Sequence, residues 1–177
     1  MTNETKFNIR EYFDILMEVM RSPARFYERT AQETGSRKPL LFLMVSAIFY
    51  CSVSMAYFFE NSLTMGLIMM ANAVLMPAFA AMITFILLGM SGRERTPFSR
   101  VFNIYAYASG AVMVISWIPG LAIVMEPVRA LLVGVGLVKA LGIGKIKAVL
   151  LLVMTAVLLL LFFWSAAPLV LELKTLF

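Results

Sequence analysis

Five runs of apolar residues dominate the chain, and each is about as long as a bilayer is thick. A helix that spans a membrane needs about 20 mostly apolar residues. Residues 39–59 and 62–90 contain no charged side chain at all. A third run covers about 101–119, a fourth, with charges in it, 120–141, and a fifth about 148–171. The expected architecture is all-α: a polytopic transmembrane helical bundle of five spans over residues 39–177. Pro77, near the middle of the long second run, predicts a helix kink, because proline removes an intrahelical hydrogen bond. Between the third and fourth spans two turns compete. Pro119-Gly120 suits a tight turn, and Glu126-Pro127 suits a helix start. Both leave the connection on the same side of the membrane.

Residues 1–38 have a different texture. They alternate charge with aromatics and lack the apolar core of a signal peptide. Ile9, Phe13, Leu16 and Met20 recur at helical spacing, with Arg10, Glu11, Asp14 and Glu18 elsewhere on the wheel. Ser22-Pro23 reads as an N-cap followed by proline at the first helical position. The short helix that follows carries Phe26 and Tyr27. This arm is expected to lie in the headgroup region or to pack under the bundle. As a cytosolic contact arm it would present Phe13, Leu16, Phe26 and Tyr27. Gln32 to Lys38, with Gly35 and Ser36, reads as the linker into the first span.

Charge adds an orientation. The chain carries 15 basic and 10 acidic residues, for a net charge of +5. All of the basic residues except Arg129 and Lys174 fall in the arm, in the loop after span two or in the connection after span four. With five spans these regions share one side. The positive-inside rule makes that side cytoplasmic and puts the C-terminus on the other. Trp117 and Trp164 then fall near the outer ends of spans three and five, where an aromatic belt is expected. The expected location is a bacterial cytoplasmic (inner) membrane. The same flanking pattern accounts for the basic excess, so no nucleic-acid partner is expected.

Composition narrows the chemistry. Hydrophobic residues make up 62% of the chain and charged residues 14%, against about 25% charged in an ordinary soluble domain. Histidine is absent and Cys51 is the single cysteine. A Ser/His or Cys/His catalytic arrangement is therefore excluded, as are the usual zinc and haem ligands. The expectation is a protein that is not an enzyme, with no cofactor and no metal.

The remaining leads are polar residues inside apolar spans. Glu126 and Arg129 are three apart, so on a helix they share a face. A charge at mid-membrane costs about 2.5–3.5 kcal/mol on the insertion scale. The pair either staples the hairpin of spans three and four near the interface or guards a path between helices. Asn72 lies five residues before Pro77. It either glues helices together or, with the kink, forms part of an ion or substrate site. Asn103, Tyr105, Tyr107 and Ser109 make the start of span three unusually polar, and the two tyrosines fit an interfacial position. Ala106/Gly110 and Ala130/Gly134 fit small-xxx-small packing, within the bundle or in homo-oligomerisation.

Several short segments resemble the Yip domain family, the Ypt/Rab-interacting integral membrane proteins. They are Arg21-Ser22-Pro23-Ala24-Arg25-Phe26-Tyr27, Lys38-Pro39-Leu40-Leu41, Phe98-Ser99, Tyr105-Ala106-Tyr107-Ala108, Ile118-Pro119-Gly120, Gly136-Leu137 and Gly142-Ile143. Together they run over nearly the whole chain, and the short arm resembles bacterial members. The resemblance implies a five-span bundle with a cytosolic N-terminus. For eukaryotic members it implies a link to Rab GTPases and vesicle traffic. A bacterial member has no Rab partner. Glu126 and Arg129 depart from the apolar hairpin that the resemblance implies.

Two functions follow from these readings. The first is a membrane-organising or partner-recruiting scaffold whose partners are the lipid bilayer, a second copy of the chain or another membrane protein; an accessory subunit of a membrane complex is a variant of it. The second is a small transporter or channel with a polar path between spans two, three and four. Convergence of Asn72, Asn103, Glu126 and Arg129 on one cavity favours the second, and their dispersal favours the first.

Overall fold

The computed structural model describes residues 8–32, 35–58, 63–92, 96–118 and 120–176. Lys6, Glu60, Asn61, Arg93, Arg95 and Pro119, which entered the reading of topology and turns, lie outside them. The described residues form seven helices: α1 (Ile9–Arg21), α2 (Pro23–Thr30), α3 (Arg37–Phe58), α4 (Leu63–Met90), α5 (Phe98–Ser116), α6 (Leu121–Leu141) and α7 (Lys145–Leu176). The last five are long and apolar enough to cross a membrane. They run alternately up and down. The end that carries α1 and α2 is called here the arm end, and the other the distal end.

The expected five spans are present, with shifted limits. Helix α5 starts at Phe98 and α7 at Lys145, several residues before the apolar runs begin. Lys145 and Lys147 sit in the first turn of α7 because a long basic side chain extends its charge to the interface while its backbone stays helical, whereas Arg100, in the first turn of α5, turns its Nε inward under the arm. Between α5 and α6, Trp117, Ile118 and Gly120 lie in the turn. Gly120 adopts φ +80°, a conformation that favours glycine. Pro127 therefore lies inside α6 and does not start it. At the other end of α6, Gly142 takes the left-handed C-terminal position.

Helix α5 is the axis of the bundle. Of its most apolar stretch 72% is buried, against 17–39% for the other four spans. It packs on α3, α4, α6 and α1, while α7 closes against α4 and α6. Small residues let the neighbours approach: Ala106, Ala108 and Ala111 are fully buried. The Phe42 ring fills the space beside Gly110. Ala106/Gly110 is thus spent on packing within the chain. Of the two uses open to this pair, packing within the bundle is the one observed, with Phe42 covering its face.

The arm is part of this core. Asn8 caps α1 by accepting a hydrogen bond from the Glu11 amide at 2.8 Å, and Pro23 opens α2 after Ser22, whose side chain makes no capping bond. Helix α1 turns Tyr12, Ile15 and Val19 into the bundle, and α2 buries Phe26 and Tyr27. Tyr27 packs over Gly136 of α6, where a Cβ would meet its Cζ at 3.2 Å. The Tyr27 hydroxyl donates to the Ile104 carbonyl at 3.3 Å. Three ion pairs reinforce the seating: Arg29–Glu18, Lys38–Glu11 at 3.0 Å and Lys139–Glu28 at 2.7 Å. Exposed pairs of this kind contribute at most about 1 kcal/mol each, so the aromatic burial dominates.

Candidate functional site

Pro77 and Pro127 prepare the distal half of the bundle. Neither ring nitrogen donates a hydrogen bond, so the Ala73 carbonyl has no amide partner four residues on. Ala73 and Pro77 both line a cavity of about 230 Å³ between α3, α4, α5 and α6. Asn72, Glu126, Arg129, Tyr50, Ser109 and Ser116 line it too.

A second cavity of about 250 Å³ lies between α4, α5, α6 and α7. It shares Met76, Pro77, Ser109, Glu126 and Arg129 with the first, so the two are lobes about one polar neck. The second lobe ends at a buried run of hydroxyls, Tyr105–Thr84–Thr155, with O···O distances of 2.6 and 2.9 Å. This run links α5, α4 and α7.

Arg129 clamps Glu126 with two N–H groups. Nε donates to Oε2 at 3.1 Å, and one Nη donates to Oε1. The Glu126 side chain is 62% exposed and that of Arg129 28%, so the carboxylate stands at the rim and the guanidinium reaches inward. Ser109 is 1% exposed and its hydroxyl has no hydrogen-bond partner. A buried polar group left unpaired is uncommon, because it forfeits its water without replacement.

Three of the four intramembrane candidates therefore meet: Asn72, Glu126 and Arg129. Asn103 does not join them. It sits at the arm end, where its side-chain amide donates to the Gly35 carbonyl at 3.1 Å and ties the linker to α5. Its Oδ1 and the Nε of Arg100 are both buried without partners. They line a small cavity of about 10 Å³ under Tyr27 and Tyr107, a space on the scale of one water molecule.

The arm residues divide in the same way. Phe13 is 56% exposed, and Leu16 packs at the edge of the core. Phe26 and Tyr27 are each 1% exposed. The expectation that those two form a cytosolic contact surface is corrected: they face Tyr107 and Ile104 within the bundle. Phe26 meets the Tyr107 ring edge-to-face at 4.8 Å. Tyr105 and Tyr107 are likewise interior: Phe26 of the arm covers Tyr107, and Tyr105 faces Thr84 and the α7 side of the bundle.

Sequence reasoning missed Thr84, Thr155 and Tyr50. Hydroxyls scattered in uncharged spans were the available signal, since each must find a partner within the bundle. Ser46 is a further case. Its hydroxyl donates to the Phe42 carbonyl at 3.0 Å, leaving its oxygen to accept from the Tyr12 hydroxyl at 2.9 Å. Burial pushes the Tyr12 and Tyr27 hydroxyls above the usual tyrosine range, and the bond to Ser46 partly offsets this at Tyr12. Among the described residues no group of His, Cys, Asp and Glu is arranged to hold a metal ion.

A family model described as the Yip1 domain matches residues 17–167. No match to the chain is found among curated proteins or among solved structures. The matched stretch runs from the last turns of α1 into the distal part of α7, and so takes in α2, the apolar cores of all five long helices and the residues that line the two-lobed cavity. The chain belongs to the Yip1 domain family.

Proposed function

We propose that this Yip-family membrane protein is a non-enzymatic scaffold that organises the bilayer on its arm side, with that side cytoplasmic. One observation carries the reading: α1 has two apolar faces and the bundle covers only one. Tyr12, Ile15 and Val19 are buried, while Ile9, Phe13 and Met17, four residues apart in turn, are 78%, 56% and 47% exposed. A rigidly seated helix with an apolar strip and flanking charges is built to lie in the headgroup–acyl boundary. The basic excess at the arm end supports the orientation.

The test combines Phe13→Trp fluorescence, in a Trp117→Phe/Trp164→Phe background that removes the native indoles, with a triple variant, Ile9→Ser/Phe13→Ser/Met17→Ser. In proteoliposomes the introduced indole is expected to emit at short wavelength and to be quenched by brominated acyl chains. The triple variant is expected to abolish any effect of the protein on vesicle size. Quenching by aqueous iodide alone sinks the reading.

A second reading, a small transporter, draws on the meeting of Asn72, Glu126 and Arg129 in one cavity. Against it stands the packed arm end, where Leu88, Val101, Ile104, Leu137 and Tyr27 are each at most 2% exposed. Solute flux into proteoliposomes that Arg129→Gln abolishes would favour this second reading.

A further inference from the structure

The polar cavity opens sideways. Asn72 and Met76 line its first lobe, and they also line an apolar groove of about 640 Å³ along the outer face of α4. The groove is walled by Leu75, Ala78, Phe79, Met82 and Phe162, with the Phe79 and Phe162 rings 4.9 Å apart at its side. A polar chamber that continues into an apolar groove has the shape of an amphiphile. We propose that chamber and groove together form a binding site for one phospholipid whose zwitterionic headgroup carries a primary ammonium, with an acyl chain lying along α4.

The donors and acceptors fit that headgroup. A guanidinium has five N–H groups, and Glu126 takes two of those on Arg129. The others are left for a phosphate, which a guanidinium binds through paired hydrogen bonds. The Ser109 hydroxyl, buried and unpartnered, supplies one more donor at the neck, and the Asn72 amide lines the mouth. Glu126 keeps free lone pairs at the exposed rim, where an ammonium can donate to them.

Selectivity follows from charge. Glu126 and Arg129 sum to zero and are fixed one turn apart, as phosphate and ammonium are fixed two carbons apart in the ligand. An anionic headgroup without an amine would face the Glu126 carboxylate unpaired. A trimethylammonium has no N–H to donate to it. A soluble headgroup would leave the apolar groove empty, so the ligand proposed is a lipid drawn from the bilayer. This inference does not rest on the scaffold reading, which concerns the opposite end of the molecule.

The test is native mass spectrometry of the full chain, delipidated in mild detergent and titrated with phosphatidylethanolamine, phosphatidylcholine or phosphatidylglycerol. One phosphatidylethanolamine per chain is expected at least tenfold more tightly than either of the others. Arg129→Gln is expected to weaken it at least tenfold. Glu126→Gln, at the exposed rim, retains the shape of its side chain and is expected to erase the preference over phosphatidylcholine. Phe79→Ala is expected to weaken all three lipids, and Phe13→Ser none. Circular dichroism and gel filtration certify the fold of each variant. Equal binding of the three lipids, tighter binding of the anionic lipid, wild-type affinity in Arg129→Gln, or competition by soluble phosphoethanolamine at equal concentration would each overturn the proposal.

Discussion

The ring of Phe42 on α3 lies against Gly110 on α5, where a Cβ would stand 2.7 Å from its Cε1 and 2.8 Å from its Cδ1. Ser46 closes the same contact, 3.3 Å from that position. Gly110→Ala therefore forces a buried aromatic ring to move, and overpacking of this kind costs about 1–3 kcal/mol. Unfolding of the variant in mixed micelles is expected to show a loss in that range. Gly89→Ala, which meets nothing within 4 Å, is expected to stay near wild type.

Thr84 is the middle member of a three-hydroxyl run across α4, α5 and α7, bonded to Tyr105 on one side and Thr155 on the other. Tyr105→Phe removes one link and leaves the Thr84–Thr155 bond. Interhelical hydrogen bonds in membranes are worth about 0.6 kcal/mol on average and about 1.7 at most. A loss within that span is expected from the same unfolding measurement, and Thr84→Val, which removes both links, is expected to lose more.

Phe26 and Phe13 make a matched contrast on the arm. Phe26→Ala empties a buried position packed edge-on against Tyr107 and is expected to cost about 3–5 kcal/mol. Phe13→Ala removes an exposed ring and is expected to change stability by less than about 0.5 kcal/mol. Thermal unfolding in detergent ranks the two. Equal losses would mean that α1 and α2 are not seated as described.

Alkaline pH probes the same seating. The folded pKa of Tyr27 is raised above its ordinary value near 10 because burial disfavours the phenolate. Below about pH 10 both states are protonated and the stability is complete. Above it the unfolded chain releases the proton first, so stability falls by about 1.4 kcal/mol per pH unit. Tyr12 shifts in the same direction. Melting temperatures between pH 8 and 11 are expected to drop more steeply in wild type than in Tyr27→Phe.

Topology has its own test. Reporters fused at Met1 and at Phe177 are expected on opposite sides of the membrane, the first in the cytoplasm. The same side for both would require an even number of spans.

The five spans were legible because uncharged runs of 20 residues or more leave few alternatives. Which face of each span points inward was not. Helices α3, α4 and α7 are apolar all round, so no stripe marks an interior, and Thr84 and Thr155 look like ordinary hydroxyls in such a run. The candidate site was half legible. Glu126, Arg129 and Asn72 stood out because charge and amide are rare in lipid, but Ser109 needed the structure to reveal its lack of a partner. Phe26 and Tyr27 were visible as an aromatic pair, and their burial was not, because it depends on Tyr107 and Ile104 of α5 and on Gly136 of α6, far along the chain.

That separation bears on how the molecule is made. The arm leaves the ribosome before any of the five spans, yet part of the surface that receives Tyr27 is Gly136, on the fourth span. The third span supplies Tyr107 and the Ile104 carbonyl, but until the fourth is in the membrane Tyr27 lacks the Gly136 wall of its seat. Complete docking of the arm therefore draws on residues of the third and the fourth span together, so the arm's seat is finished only when both are in place.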